Sequence, residues 1–497
     1  MNLARYCLTN AAPPAGAVAL EVVGPGGAVL ESWSYGRLED TVLRIAAGLH
    51  AEGLDAGDRV LLRIGHSSDF PLVFFGAIAA GLVPVPTSAM LTATECDGLL
   101  ADSGAAAIVH DGHTALPHET GAARLIGPDG IVALKRAPRG TYADTAADDP
   151  AFMVYTSGTS GRPKGVLHAQ RAARGRAPMY AGWYGISPAD RLLHAGAFNW
   201  TYTLGVGLMD PWANGATSVV YDGPRDPDVW PGLIETAGAT LFAAVPSLYR
   251  RILKYAALDR ASFPTLRHGL TAGEALAADL HREWTQRTGR PLYEALGMSE
   301  ISTYISSGPD VPTRPGSPGK PQAGRRVAIL AEERAECRPL PDGETGLLAV
   351  HRSDPGFMLG YWQRPDDTRA VLHGDWFLTG DRAHRDADGY IWYEGRADDV
   401  MNAFGYRVAP EEVERVLAAH PDVAEAAVTA VEVRGGITLI AGFVVRRSGA
   451  SLDEAALAAW ANERLAEYKR PKAYRFVDSL PRTPSGKIRR KGLRLAD

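Results

Sequence analysis

The chain contains the stretch Tyr155-Thr-Ser-Gly-Thr-Ser-Gly-Arg-Pro-Lys-Gly165, which follows the apolar segment 151–154. The apolar segment predicts a buried β-strand, and the stretch after it combines hydroxyl side chains, three glycines and one lysine. Glycines let a backbone approach a ligand closely, and successive backbone N–H groups form a nest that binds anions. With the positive charge of Lys164 added, the composition predicts a loop that holds a polyphosphate.

Two other interpretations of this stretch have less support. The P-loop of kinases and GTPases has glycine directly before its lysine and serine or threonine directly after it. Pro163 and Gly165 occupy those positions here, so a P-loop kinase or ATPase is disfavoured. A polar surface loop without a ligand is common in proteins, but it does not explain a lysine at this spacing after a buried strand.

Length and composition indicate a globular protein of two or three domains. The 497 residues exceed one ordinary domain, and 46% hydrophobic with 22% charged residues is a typical soluble balance. The net charge of −5 predicts no nucleic-acid-binding surface. Cys7, Cys96 and Cys337 form no paired motif, which argues against a zinc site or disulfide framework and favours the reducing cytoplasm. Neither a signal peptide nor an apolar run of membrane-spanning length is evident.

The pattern of apolar residues predicts alternating helices and strands in the first part of the chain. Apolar residues recur at helical spacing across 38–49, and short apolar runs at 59–64, 83–86 and 105–109 predict strands. This alternation predicts an α/β fold with a mainly parallel, doubly wound sheet. After the glycine-rich stretch, residues 168–171 predict the start of a helix.

The last hundred residues predict a smaller α+β unit. A helix is expected over 411–419, strands over 423–433 and 439–445, and a second helix over 452–465. Pro410 stands where proline is favoured, at the start of the first helix.

Several further motifs follow the glycine-rich stretch. They are Leu270-Thr-Ala-Gly-Glu274, Leu292-Tyr-Glu-Ala-Leu-Gly-Met-Ser-Glu300, Phe377-Leu-Thr-Gly-Asp381, Tyr393-Glu-Gly-Arg396 and Leu480-Pro-Arg-Thr-Pro-Ser-Gly-Lys487. In this order they resemble the adenylate-forming (ANL) superfamily of acyl-CoA synthetases, peptide-synthetase adenylation domains and luciferases, over about residues 35–487. The resemblance implies an AMP-forming acyl- or aryl-CoA synthetase. It also implies a large AMP- and acyl-binding domain of doubly wound subdomains at 1–397, and a small mobile domain at 398–497 that carries the catalytic lysine.

The resemblance further implies which residues hold ATP and Mg²⁺. Lys164 binds the β- and γ-phosphates, Ser299 contacts the α-phosphate and Glu300 helps to hold Mg²⁺. Asp381 accepts hydrogen bonds from the ribose hydroxyls. The implied ATP- and AMP-binding residues are Thr156, Ser157, Gly158, Thr159, Gly273, Glu274, Glu294, Ala295, Leu296, Ser299, Asp381, Arg396 and Arg407. The chain departs from the usual family motif at Leu296, which replaces an aromatic residue, and at Ser299, which replaces threonine.

The same resemblance implies a reaction in two steps. A carboxylate first displaces pyrophosphate from ATP to form acyl-AMP, with Lys487 between the carboxylate and the α-phosphate, where a point charge on a long stem is suitable. Coenzyme A then takes the acyl group. Between the steps the small domain rotates about a hinge at Asp398, withdrawing Lys487 and bringing Gly405 close to the pantetheine arm of CoA.

The acyl pocket is assigned by resemblance to Trp200, Thr203, Ala272 and Gly297. Acetate-using members of the family have tryptophan at the position of Gly297, so the glycine predicts an acid larger than acetate, and Gly297→Trp is expected to close the pocket. No charged residue is assigned to the pocket, and burying an unpaired carboxylate is costly. A medium-length, branched, alicyclic or aromatic monocarboxylic acid is therefore expected.

Three alternatives remain open at this point. A stand-alone adenylation enzyme would load the acyl group on the thiol of a carrier protein instead of CoA. A short-chain ligase would use acetate or propionate. A non-catalytic binding module would be expected to lose Lys487 or Glu300, and both are present. The expected partners are the acid, ATP and CoA, with a monomer and a homodimer both compatible with the sequence.

Overall fold

A computed structural model describes residues 1–495 except 158–162, 259–262, 332–336, 397–400, 404–405, 434–436, 482–487 and 489. Among the described helices, none has both the length and the apolar character needed to cross a membrane.

Strands occur throughout the described chain and are numbered in chain order. In the first half they are β1 (Val18–Val23), β2 (Val29–Ser34), β3 (Arg59–Arg63), β4 (Val83–Pro86), β5 (Ala107–His110), β6 (Arg124–Ile126), β7 (Pro150–Ser157), β8 (Pro163–Ala169), β9 (Arg191–His194), β10 (Thr217–Tyr221) and β11 (Leu241–Ala244). Next come β12 (His268–Ala272), β13 (Leu292–Met298), β14 (Ser302–Ser306), β15 (Lys320–Pro321), β16 (Val327–Leu330), β17 (Gly346–His351), β18 (Gly360–Tyr361), β19 (Leu372–His373), β20 (Trp376–Arg385) and β21 (Ile391–Arg396). The last are β22 (Met401–Ala403), β23 (Tyr406–Val408), β24 (Val423–Val433), β25 (Ile437–Arg446) and β26 (Ala473–Phe476).

The described helices connect these strands. They are α1 (Leu3–Thr9), α2 (Tyr35–Ala51), α3 (Asp69–Ala79), α4 (Ala93–Ser103), α5 (Pro128–Arg136), α6 (Ala172–Gly175), α7 (Ala177–Met179), α8 (Thr201–Leu204), α9 (Asp210–Ala213), α10 (Val229–Thr236), α11 (Pro246–Tyr255), α12 (Ala278–Thr288), α13 (Pro365–Ala370), α14 (Pro410–Ala418) and α15 (Glu454–Arg464). Short π-helical turns cover Tyr180–Tyr184 and Gly205–Met209.

Two α/β sheets organise the first 321 residues, as the alternating pattern predicts. The larger sheet has nine strands in the order β15-β14-β13-β12-β11-β9-β10-β1-β2, and its central strands are parallel. The smaller has the order β4-β3-β5-β6 and is parallel throughout. Strands such as β10 and β11 are buried along their whole length, because helices cover both faces of a parallel sheet.

The glycine-rich stretch connects two antiparallel strands. β7 and β8 form a hairpin in which Thr156 lies opposite Lys164. The prediction that a helix starts at His168 is wrong, because β8 continues to Ala169 and helix α6 begins only at Ala172. The reason is a cross-strand pair: His168 lies opposite Phe152, and the two rings stack with centroids 4.5 Å apart.

The residues after 401 form their own sheets and hydrophobic clusters. The antiparallel pair β24–β25 is extended by β26, and alternate side chains of these strands point to opposite faces. One face packs against α14, α15, Tyr406 and Tyr468, and the other packs against Leu480, Ile488 and Leu493. The predicted boundary at Asp398 lies outside the described residues and stays a prediction.

Candidate active site

A cavity of about 680 Å³ lies where the parallel strands of the large sheet end. β12 ends at Ala272 and β13 ends at Met298, and ligands of open α/β sheets bind beyond the carboxyl ends of the strands. Of the predicted site residues, those that line the cavity are Thr156, Trp200, Ala272, Gly273, Gly297 and Ser299. Nucleotide and acyl residues predicted from separate motifs therefore meet at one site.

Lys164 directly follows Pro163, which lines this cavity, and it has a defined partner. Its Nζ is 3.1 Å from Oδ2 of Asp367 and lies 5.1 Å from the ring centroid of Tyr361. The side chain is largely buried, so the ammonium is held in one region instead of ranging over the surface. A polyphosphate that binds Lys164 would have to compete with the Asp367 carboxylate.

Glu300 has one carboxylate oxygen in use and one without a partner. Oε1 accepts a hydrogen bond of 2.8 Å from the Tyr361 hydroxyl, the same residue whose ring lies near Lys164. Oε2 is buried and has no hydrogen-bond partner among the described residues. An uncompensated carboxylate oxygen is costly in a buried position, so this atom fits a cation ligand.

The described residues contain no cluster of three or more histidine, cysteine or carboxylate side chains that could enclose a metal ion. Mg²⁺ is commonly bound through one or two carboxylates, with water and substrate phosphates completing its octahedral shell. A single carboxylate such as Glu300, which shares the neighbour Tyr361 with the lysine predicted to bind phosphate, fits this mode of binding.

The carboxylates of Glu274 and Glu294 are bonded to backbone groups. Oε1 of Glu294 accepts from the N–H of Leu276 at 2.9 Å, and Oε2 of Glu274 accepts from the N–H of Ser247 at 2.9 Å. Burial raises the pKa of Glu294 to about 8. The Glu294 contact ties the segment after Gly273 to β13, and the Glu274 contact ties it to the start of α11. The φ of +92° at Gly273 favours glycine.

Other predicted nucleotide residues are not among the described residues that line the cavity. Ala295 is buried, Leu296 packs partly against the core, and Asp381 is buried in β20 opposite Arg396 of β21. Ser157 and Arg407 lie in β7 and β23. Gly158, Thr159, Lys487, Asp398 and Gly405 lie outside the described residues.

The acyl residues differ in how they meet the cavity. Trp200 lines it and stands edge-on to Tyr202, with ring centroids 5.3 Å apart and planes at 86°. Thr203 is buried behind this wall and is not among the described lining residues. A Cβ placed on Gly196 would lie 2.7 Å from the Thr203 hydroxyl oxygen, so Thr203 packs against that loop instead.

Gly297 is required by the neighbouring strand. A Cβ at this position would lie 2.6 Å from the carbonyl oxygen of Ser302 and 2.6 Å from Cα of Thr303. The glycine therefore permits β13 and β14 to approach, and any larger residue would have to displace the β14 backbone. This corrects the expectation that Gly297→Trp would close the pocket and leave the rest of the site unchanged, because the indole would first have to displace β14.

A buried ionic network that the sequence analysis missed supports the cavity wall. Arg176 donates to both carboxylate oxygens of Asp210, from Nε at 2.7 Å and from Nη2 at 2.6 Å, and its Nη1 donates to the Ser302 hydroxyl. Ser302 lines the cavity with an unusual φ of +92°. A Cβ on Gly205 would lie 1.9 Å from the guanidinium carbon, so the glycine makes space for Arg176.

Residues of the C-terminal part complete the cavity and were also missed. Tyr406 of β23 stacks on Tyr468 with centroids 4.0 Å apart, and it stacks on Trp200 of the large domain at 6.1 Å. The described lining residues from this part are Tyr406, Glu412, Arg415, Val416, Arg464, Leu465, Tyr468 and Lys469. No short motif marks them, because they meet the cavity only through the packing of the two domains.

Comparisons with known proteins place this geometry in a family. The model of the AMP-binding enzyme family matches residues 9–362, and that of the AMP-binding enzyme C-terminal domain matches residues 412–487. The 3-hydroxybenzoate–CoA ligase of Aromatoleum sp. (strain CIB) is 32% identical over 99% of this chain and 98% of its own length. The human mitochondrial acyl-coenzyme A synthetase ACSM5 is 33% identical over 93% of this chain and 84% of its own length. The crystal structure of a benzoate CoA ligase from Burkholderia xenovorans LB400 is 30% identical, has a TM-score of 0.73 and covers 99% of both chains.

Proposed function

The chain belongs to the AMP-binding enzyme family and is an AMP-forming acid–thiol ligase, and from this premise we propose that it activates an aromatic monocarboxylic acid. As an adenylate-forming CoA ligase it uses ATP, Mg²⁺ and CoA. The observation that carries the choice of acid is the pair of perpendicular rings of Trp200 and Tyr202 beside the small residues Ala272 and Gly297. A flat ring fits against such walls, because aromatic pairs favour edge-on and offset-stacked contacts.

The relatives support this choice of substrate. One is named a 3-hydroxybenzoate–CoA ligase, and a benzoate CoA ligase has the same fold over almost the whole chain. The wall formed by Trp200, Ala272, Gly297 and Thr303 consists of uncharged residues, whereas the charged residues that line the same cavity belong to other parts of it: Glu95, Asp102, Arg364, Glu412, Arg415, Arg464 and Lys469. A branched or alicyclic acid of similar size is the second choice, because one relative is named an acyl-coenzyme A synthetase and its name specifies no aromatic acid.

In the first half-reaction a carboxylate oxygen of the acid bonds to the α-phosphorus as the bond to pyrophosphate breaks. Lys164 binds the β- and γ-phosphates, Ser299 contacts the α-phosphate, and Lys487 holds the carboxylate against it. Glu300 would hold Mg²⁺, which when bound would offset phosphate charge. Catalysis of this kind rests on positioning and on charge stabilisation.

In the second half-reaction the CoA sulfur attacks the acyl carbonyl and AMP leaves. Tyr406 directly follows Gly405 in the chain, and its ring lies against Trp200 at the acyl cavity. Ile488, which directly follows Lys487, packs on the opposite face of the β24–β26 sheet from Tyr468. We therefore assign this domain arrangement to thiol transfer. The proposal also includes the domain boundary at Asp398. It further includes a cytoplasmic location, which the three free cysteines favour.

Acid-dependent ATP–pyrophosphate exchange and thioester formation with CoA together test the function. We expect kcat/KM for benzoate or a hydroxybenzoate to exceed that for acetate by at least about 30-fold, because burying a ring contributes roughly 2 kcal/mol or more. Linear acids of increasing length serve as the matched series. A preference for acetate or propionate would contradict the aromatic assignment, and thioester formation only with a carrier-protein thiol would contradict the CoA assignment.

Replacing Glu300 with glutamine tests the proposed Mg²⁺ contact. We expect the Mg²⁺ concentration for half-maximal pyrophosphate exchange to rise at least about tenfold, because an amide oxygen is a weaker ligand than a carboxylate for a hard cation. Glu344→Gln is the control, since Glu344 is an exposed residue away from the cavity. An unchanged Mg²⁺ requirement would refute the contact.

A further inference from the structure

Lys469 joins the two domains through a buried ion-pair cluster. Its Nζ lies 2.9 Å from Oε1 of Glu95, in helix α4 of the large domain, and 2.6 Å from Oε1 of Glu412, in helix α14 of the small domain. Lys469 is 6% exposed, and both carboxylate side chains are also largely buried. The cation therefore has one partner on each side of the interface.

The charge of Lys469 is well defined. Burial alone would lower the pKa of Lys469, but the neighbouring Tyr468, Glu412 and Glu95 outweigh burial and hold the pKa well above its usual value. Lys469 is therefore a cation at neutral pH. A buried cation that loses a carboxylate partner is strongly disfavoured, so the interface depends on the contact being made.

The Glu95 carboxylate is held in place by contacts within the large domain. Glu95 is the third residue of helix α4, and its Oε2 accepts from the backbone N–H of Thr92 at 2.9 Å and from the Thr92 hydroxyl at 3.0 Å. This capping box occupies one carboxylate oxygen and directs the other, Oε1, to Lys469. Little side-chain entropy is lost when the ammonium binds a carboxylate that is already held.

The ion-pair cluster lies at the cavity that contains the acyl residues. Tyr468, the residue before Lys469, stacks on Tyr406, and Tyr406 stacks on Trp200 at the acyl cavity. A shift of the small domain that breaks the Lys469–Glu95 contact would therefore also move Tyr406 against the acyl wall.

We propose that Lys469 is a positioning residue for thiol transfer, and that its ion pair with Glu95 holds the small domain in the arrangement that admits the CoA thiol to the acyl cavity. The inference rests on the proposed function. Glu412 belongs to the same domain as Lys469 and accompanies it in any rotation, whereas Glu95 does not. The Lys469–Glu95 pair therefore stabilises one arrangement selectively, and only such differential contacts shift an equilibrium between arrangements.

The test separates the two half-reactions in Glu95→Gln. Single-turnover formation of acyl-CoA from preformed acyl-AMP is expected to fall at least tenfold, while ATP–pyrophosphate exchange with the same acid stays within about threefold of the unmodified enzyme. Glu52→Gln is the matched control, because Glu52 pairs with Arg124 at 2.6 Å inside the large domain, and it should change neither rate.

Variants of Lys469 provide a second measure. Lys469→Met keeps most of the stem but removes the charge, and it should reproduce the selective loss of thiol transfer. Lys469→Arg keeps the charge and should recover part of the rate. Thermal unfolding of all variants shows whether each is folded at the assay temperature.

Two outcomes would overturn the inference. Equal losses in both half-reactions would indicate a general structural role, and an unchanged thiol-transfer rate in both Glu95→Gln and Lys469→Met would show that the pair does not position the domain. Failure of the unmodified enzyme to form acyl-CoA from acyl-AMP would instead refute the proposed function. That result is measured on the unmodified enzyme, whereas the first two outcomes are measured on the variants, so the two kinds of failure are distinguishable.

Discussion

Replacing Lys487 with alanine is expected to slow acyl-adenylate formation by about 10²–10³-fold, the usual cost of removing one preorganised group that stabilises transition-state charge. Thioester formation from preformed acyl-AMP should change by less than about threefold. We expect this difference because, in the proposed mechanism, Lys487 neutralises charge between the carboxylate and the α-phosphate only in the first step. Stopped-flow or quench measurements of each half-reaction, begun from ATP and from acyl-AMP, check the split.

Lys487 lies outside the described residues, so this expectation rests on its motif and on its neighbour. Ile488 packs on the face of the small sheet that is opposite to Tyr406 and Tyr468, and those two rings reach the cavity in this arrangement. Lys472→Ala, at an exposed lysine of the same domain, is the control. Gly405→Leu should show the reverse pattern, and equal losses in both steps for Lys487→Ala would refute its assigned role.

Replacing Asp210 with alanine is expected to lower the free energy of unfolding of the large domain by about 3–5 kcal/mol. Asp210 is fully buried and accepts hydrogen bonds from two nitrogens of Arg176 and, at 2.7 Å, from the Tyr184 hydroxyl. The substitution would leave the Arg176 guanidinium buried without its carboxylate. Because Arg176 also donates to Ser302 in the cavity wall, KM for the acid should rise as well.

Denaturant titration followed by tryptophan fluorescence measures the effect. Asp342→Ala is the matched control: its carboxylate pairs with Arg385 at 2.6 Å, but both side chains are more than 40% exposed. Exposed pairs contribute only about 0–1 kcal/mol, so this control should unfold almost as the unmodified protein does. A loss for Asp210→Ala no greater than that of the control would show that the buried network contributes little stability.

Much of the fold could be predicted because its signals are short-range. Apolar runs and helical spacing anticipated β3, β4 and β5 of the four-stranded parallel sheet and helix α2, and the apolar segment before the glycine-rich loop motif anticipated β7. The strand after that loop was missed at His168, because its partner Phe152 lies across the hairpin and a local pattern does not contain it.

The residues of the candidate site could likewise be predicted only in part. Motifs identified Lys164, Glu300 and Ser299 individually, since each stands in a fixed local spacing. The motifs do not include Tyr361, which lies 61 residues after Glu300 in the chain and donates its hydroxyl to Glu300. They also do not include Asp367, which pairs with Lys164. The expected pocket volume at Gly297 was misjudged, because a missing side chain leaves open space only where no neighbouring backbone approaches.

By itself, the sequence determined the family and predicted the chemistry: a polyphosphate loop, a candidate Mg²⁺ carboxylate and a lysine on a stiff turn, all predicted from residue types at short spacing. Only the tertiary structure decided which of these groups meet, and it alone brought Lys469 to Glu95 across 374 residues of chain. The physical reason is that hydrogen-bond and ion-pair energies depend on distances of about 3 Å between side-chain atoms. Those distances are set by how whole domains pack, and no local pattern of residues encodes them.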